Sequence, residues 1–142
     1  MTINIKNFLS DKNKLSKMED FQSLKQIDGL EMSSISADLY GDGRDDLALF
    51  YFTKGANYAT LTTTNTITSE FIPWNNNSHK MIIKGLLVNT KNANTFTGKQ
   101  GKESIDILAK NLSRILTIKE SKSQRGTSET VKVKDLIFAS TG

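Results

Sequence analysis

Residues 81–116 run Met81-Ile-Ile-Lys-Gly-Leu-Leu-Val88, then Asn89-Thr-Lys-Asn-Ala-Asn-Thr-Phe-Thr97-Gly98, then a long stretch with Ile105, Leu108, Ala109, Leu112, Ile115 and Leu116. Three textures follow one another here. The first is a short apolar run of the kind found in a strand covered on both faces. The second is a loop dense in Asn, Thr and Gly. The third places its apolar residues at i, +3, +4, +7, +10 and +11, with Lys, Asp and Ser opposite, so it reads as an amphipathic helix. Strand, polar loop and helix in this order predict a mixed α/β domain.

Working outward, Met32–Ala37 alternates and Asp46-Leu-Ala-Leu-Phe-Tyr-Phe52 is a compact run of strand formers. Gly41-Asp42-Gly43-Arg44 between them is a turn signal, and together they predict a β-hairpin. Tyr58–Thr64, rich in β-branched residues, reads as a further strand. Pro73 and the Asn75–Asn77 cluster break the chain, and the stretch through His79 and Lys80 reads as an exposed loop. Beyond the helix, 119–130 reads as a polar, charged loop and Val131–Ala139 as the last strand. Residues 1–26, rich in Lys, Asn and Ser, read as an arm or short helix, leaving 27–142 as a single α/β (α+β) domain in which a mixed β-sheet packs with helices.

A chain of 142 residues suits one such domain. No apolar run is long enough to span a membrane, and the N-terminus lacks the apolar centre of a secretory signal, so a cytoplasmic protein is expected. There is no cysteine and a single histidine, His79, which removes thiolate chemistry and makes a metal site or a histidine-based triad poorly supplied. Residues 1–79 carry 7 basic and 10 acidic side chains, and 80–142 carry 12 and 5. A basic half can serve nucleic acid, but these lysines are scattered without stacking aromatics, so no nucleic-acid partner is expected.

Three stretches could carry chemistry. Asp38, Asp42, Gly43 and Asp46 are spaced as in an oxygen-ligand calcium loop, although Tyr40 stands where a hard ligand belongs. The plainer reading is an acidic hairpin turn with glycines at positive φ. Asn92 and Asn94, with Thr95, Thr97 and Gly98, precede the helix, whose N-terminal N–H groups suit anions or carboxylates. The residues alone favour simple capping by Thr97 or Asn94 over substrate contact. Finally, Ser140-Thr141-Gly142 follows a strand and offers a hydroxyl beside a glycine N–H, the equipment of an oxyanion hole.

Read together, these pieces resemble ornithine acetyltransferases. Asp45-Asp46-Leu-Ala-Leu-Phe50 is similar to that family's opening, and Thr62-Thr63-Thr64-Asn65 to its Phe-Thr-Thr-Asn stretch. Val88-Asn89-Thr90-Lys91-Asn92-Ala93-Asn94, continued by Thr97-Gly98 and Gln100-Gly101, is similar to VNSGNAN-x-x-TG-x-QG, and the terminal Ser-Thr-Gly to the family's STG. The resemblance covers about residues 27–142. Lys91 replaces the usual glycine, Leu61 stands for a phenylalanine, and 119–131 reads as an insertion.

The resemblance implies a fold shared with threonine-nucleophile aminopeptidases. It also implies an enzyme that cuts itself before an internal threonine and works as two α and two β chains. The freed threonine would take acetyl from N-acetylornithine and pass it to glutamate, with acetyl-CoA as donor in some members and no cofactor held. By position, Thr141 and Gly142 match the oxyanion hole, and Asn92 and Asn94 lie where substrate contact is expected. The nucleophile would lie beyond residue 142, in the remaining portion of the same enzyme, so this stretch alone is expected to be inactive. Two other readings stay open: a non-catalytic module binding calcium through Asp38, Asp42 and Asp46 or anions through the basic half, and an aminopeptidase of the related family.

Overall fold

The computed structural model describes residues 26–77, 82–122 and 130–141. The arm expected over 1–26 lies, but for Gln26, outside these residues, as does His79. Within them the order is β1 (Leu30–Ile35), β2 (Leu47–Asn57), α1 (Phe71–Asn77), β3 (Ile82–Asn89), α2 (Gly98–Lys122), a 3-10 turn (Val133–Asp135) and β4 (Leu136–Ser140). The strands form one sheet in the order β1-β2-β3-β4. β1, β2 and β3 run antiparallel, Leu30 opposite Phe52 and Leu49 opposite Leu87. β4 returns parallel to β3, Gly85 opposite Leu136 and Asn89 opposite Ser140. A parallel return needs a long crossover, and α2 supplies it.

Strand alternation assigns the faces. Leu47, Leu49 and Tyr51 of β2, Leu87 of β3, and Leu136 and Phe138 of β4 point to one side. There they meet Ile105, Ala109, Leu112 and Leu116 of α2 and Phe71 and Trp74 of α1 in the hydrophobic core. Phe138 stacks on Phe71, ring centroids 6.0 Å apart, and receives the edge of Trp74 at 5.7 Å. The buried residues of α2 step by four, four, three and four from Gly101 to Leu116, as the periodicity predicts. At its far end the Tyr51 hydroxyl donates to the buried Glu120 carboxylate, while Lys119 pairs with Glu31 on β1.

The opposite face carries Met32, Ala48, Phe50, Phe52, Leu86, Val88, Ile137 and Ala139. Except for the exposed Met32, these side chains are half-buried; none belongs to the core cluster, and both described helices contribute to the other side. β3 is therefore central but covered by helices on one face, where the sequence predicts both.

The hairpin and the long amphipathic helix agree with the reading from sequence, and the parallel return is new; four expectations are corrected. Tyr58–Thr64 is not a strand. β2 already has β1 and β3 on its two edges, so the segment cannot fold back on it as a hairpin, and it packs no apolar face against the sheet, Leu61 being 103% exposed. Pro73 and Asn75–Asn77 do not break the chain but lie in α1, with proline third in the helix, where the first-turn amides have no partner to lose. The charged stretch from Lys119 begins as the last turn of α2, reaching Lys122. The last strand starts at Leu136 rather than Val131, after the 3-10 turn, in which Asp135 accepts from Lys132 N–H at 2.9 Å.

Candidate functional site

Parallel β3 and β4 end side by side, and open α/β sheets bind ligands in the crevice outside such carboxyl ends. Asn89 lies opposite Ser140, and the Thr141 N–H donates to the Asn89 carbonyl at 2.9 Å. Thr141 is exposed. The Ser-Thr-Gly segment and the Asn-rich loop, distant in sequence, therefore leave the sheet at one place. Gly142 lies outside the described residues.

The loop from Asn89 to Thr97 is held by its own amides. Asn89 Nδ2 donates to the Asn92 carbonyl at 2.9 Å, and Asn92 Oδ1 accepts the Asn94 N–H at 3.2 Å, an Asx turn. Asn94 sits at φ 50, a left-handed conformation that asparagine tolerates. Its Oδ1 accepts the Thr97 hydroxyl at 2.6 Å, and its Nδ2 reaches the Gly101 carbonyl at 3.4 Å. Thr97 takes the cap position, since its carbonyl accepts the Gly101 N–H at 3.3 Å. The hydroxyl, though, serves Asn94 rather than a helix amide. Gly101 is obligatory in this packing: a Cβ there would overlap Thr97 Oγ1 and lie 2.5 Å from Asn94 Oδ1.

Facing this loop is the turn between β1 and β2. Asp46, buried, accepts Ala37 N–H and Leu39 N–H at 2.6 Å each, one on each carboxylate oxygen, and its carbonyl accepts Thr90 N–H at 2.9 Å. Asp42 is paired with Arg44, whose hydrogen bond holds its carboxyl below the usual range. Two carboxylates of the calcium-like loop, Asp42 and Asp46, thus serve separate local roles, and Asp38 sits in the turn at φ 58. Among the described residues no three His, Cys, Asp or Glu side chains converge to hold a metal. Gly41 and Gly43 have positive φ, as the turn reading requires.

Lys91 spans the two loops. Its φ is 67, the conformation glycine adopts without strain, which explains why the motif it departs from has glycine there. Its Nζ donates to the Leu39 carbonyl at 2.5 Å and lies 5.0 Å from the Tyr40 ring centroid, with the Arg44 guanidinium 4.1 Å from the same ring. Nearby Phe96 also has left-handed φ, at 60, and is 81% exposed.

Between these walls opens a cavity of about 460 Å³. Phe71, Leu87, Ile105 and Phe138 form its floor, and Ala37 and Leu39 one wall. Asn89, Asn92, Asn94, Gln100 and Ser104 bring carboxamides and a hydroxyl to the rest. Among the described residues no side chain that lines the cavity is ionisable. Asn92 and Asn94 are thus brought together in one pocket whose rim adjoins the start of α2, where main-chain N–H groups favour negative oxygen.

Sequence reasoning missed Asp46 as an organiser and Lys91 as a strap. It also missed Asn75, whose Oδ1 accepts Phe138 N–H at 3.0 Å while its Nδ2 donates to the Phe138 carbonyl at 2.7 Å. Only Lys91 left a signal, as a departure from the motif.

A family model described as the ArgJ family matches residues 31–142. The chain belongs to the ArgJ family. It is 35% identical over 86 residues to the arginine biosynthesis bifunctional protein ArgJ of Zymomonas mobilis, covering 58% of this chain and 20% of that protein. To the protein of the same name from Bartonella quintana it is 27% identical over 104 residues, covering 72% and 25%. The chain therefore spans a fifth to a quarter of the length of these curated relatives. Its fold matches the ornithine acetyltransferase of Mycobacterium tuberculosis, solved in complex with ornithine, at a TM-score of 0.68 and 20% identity, over 81% of this chain and 56% of that one. The arginine biosynthesis bifunctional protein argJ of Bacillus halodurans matches at 0.59 and 19%, over 81% and 54%. Among the described residues no helix is long and apolar enough to cross a membrane.

Proposed function

We propose that residues 27–142 form one unit of an acetyltransferase of arginine biosynthesis, which moves acetyl from N-acetylornithine to glutamate through an acetyl-threonine intermediate. Here the chain supplies the oxyanion-holding side, and the attacking threonine comes from a further portion of the enzyme. One observation carries this reading. The exposed Thr141 is tied to Asn89 at the end of the β3–β4 pair, next to a neutral pocket lined by Asn92 and Asn94.

The chemistry follows from that placement. When a hydroxyl attacks the acetyl carbonyl, the carbonyl oxygen becomes an anion. The Thr141 hydroxyl and the Gly142 N–H are the donors proposed to receive it, in a site where fixed donors need no reorganisation. Asn92 and Asn94 are assigned to the substrate pocket they line, Asn94 with its carboxamide already held by Thr97 and Gly101. A threonine whose own α-amino group acts as base needs neither His nor Cys, and the absence of cysteine and the single histidine suit that.

The half-buried apolar face of the sheet, Phe50, Phe52, Leu86, Val88 and Ile137, supports a larger assembly, since apolar area left in water is stabilising only once covered. We assign its cover to the rest of the acetyltransferase, in a complex of two α and two β chains.

Co-expressing this chain with the C-terminal portion of a family member, nucleophilic threonine included, tests the proposal. Acetyl transfer from N-acetylornithine to glutamate is expected. A complex that forms but transfers no acetyl refutes the reading, and one that instead hydrolyses peptides places the chain with the aminopeptidases.

A further inference from the structure

The two edges of the sheet differ. On β4, the Asn75 side chain occupies both main-chain groups of Phe138, and Trp74 Nε1 donates to the Leu136 carbonyl at 3.3 Å. A side-chain amide here takes the place of a fifth strand. On β1, nothing among the described residues pairs with the outer edge. The Thr53 N–H reaches the Gly29 carbonyl at 2.8 Å, so the antiparallel alternation turns the main-chain groups of Glu31 and Ser33 towards β2. Those of Met32 and Ser34 face outward. Natural edges are protected by lysine, proline or a bulge. Met32-Ser33-Ser34-Ile35 has no lysine or proline, pairs with β2 in unbroken register, and is exposed throughout.

We propose that β1 pairs antiparallel with β1 of a second copy of this chain, about a two-fold axis through Met32. The sequence of the strand selects this partner and register. With Met32 opposite Met32 of the copy, Leu30 meets Ser34 and Glu31 meets Ser33, so the strand's one charge never faces itself. Centring the axis on Ser33 would instead set Glu31 against the apolar Ile35 and Met32 against Ser34, so neither the carboxylate nor the exposed methionine would gain a matching neighbour. Pairing even with even residues keeps both α2 helices on one side and aligns the two apolar faces on the other. Met32, 62% exposed in the single chain, then gains an apolar neighbour in its own copy.

Sedimentation velocity and light scattering of the 142-residue chain, at a concentration on the order of 100 µM, test the pairing. The mass should approach twice 15.8 kDa. Met32→Pro and Ser34→Pro each remove an outward N–H and leave the β1–β2 ladder intact, so both should retain the far-UV spectrum and return the mass to that of one chain. Because the chain has no cysteine, Ser33→Cys accepts a single nitroxide. Pulsed electron resonance should show one short distance that either proline abolishes. A wild-type chain that stays at the single-chain mass overturns the proposal. So does association that survives both prolines, which would assign it to the apolar sheet face.

Discussion

Replacing Gly101 by alanine inverts an ordinary helix rule. At an open helix position glycine to alanine stabilises by about 1 kcal/mol. At Gly101 the new methyl overlaps Thr97 Oγ1 and lies 2.7 Å from Thr97 Cβ and 2.5 Å from Asn94 Oδ1. Thr97 must swing away, which breaks its 2.6 Å hydrogen bond to Asn94, a loss of about 1 kcal/mol. Displacing a packed loop adds about 1–3 kcal/mol. After subtracting the helix gain, G101A should lose about 1–3 kcal/mol. Urea unfolding followed by circular dichroism measures it as a lower midpoint with unchanged slope. Thr97→Gly, which clears most of the clash, should make the double variant less destabilised than the sum of the singles. A G101A chain as stable as the wild type, or more so, would refute the close packing of Asn94, Thr97 and Gly101.

Two further outcomes follow from the loops around the pocket. Lys91→Gly relieves a left-handed backbone, a gain of about 1–2 kcal/mol, but removes the strap to Leu39. Stability should change little while the amides of residues 38–44 exchange faster, as hydrogen exchange with mass spectrometry would show; slower exchange there would contradict the strap. Asp46→Asn leaves one oxygen where two main-chain N–H groups are held, at a cost of about 1–3 kcal/mol in thermal or urea unfolding. Calorimetry with calcium should give no binding heat in the wild type; a binding isotherm lost in D46N would restore the metal reading.

What the sequence revealed depended on how local the cause was. The α2 stripe from Ile105 to Leu116 was legible because its helical period buries one face, whereas the unbroken apolar run of β3 marked a strand but not that helices cover only one side of it. The order of motifs also located the Asn-rich loop and the Ser-Thr-Gly segment, and the parallel β3–β4 pairing explains why they adjoin. Tyr58–Thr64 has strand composition, but β2, which it follows, is already paired on both sides, and the segment packs no apolar face against the sheet, Leu61 being fully exposed. Pro73 and the asparagines after it look like breakers, yet α1 forms because Phe71 and Trp74 find Phe138, and Asn75 finds the edge of β4, more than sixty residues later. Nothing near Asn75 in sequence signals that partner. Asp46 looked like a metal ligand because carboxylate spacing is visible, whereas the amides of Ala37 and Leu39 that occupy it are set by the turn.

The central claim concerns the oxygen that turns negative as acetyl leaves its donor. Steady-state kinetics of the co-expressed enzyme should show Thr141→Ala lowering kcat about 100- to 1000-fold, with the KM for N-acetylornithine nearly unchanged. A Thr141→Ala enzyme turning over at the wild-type rate would contradict it.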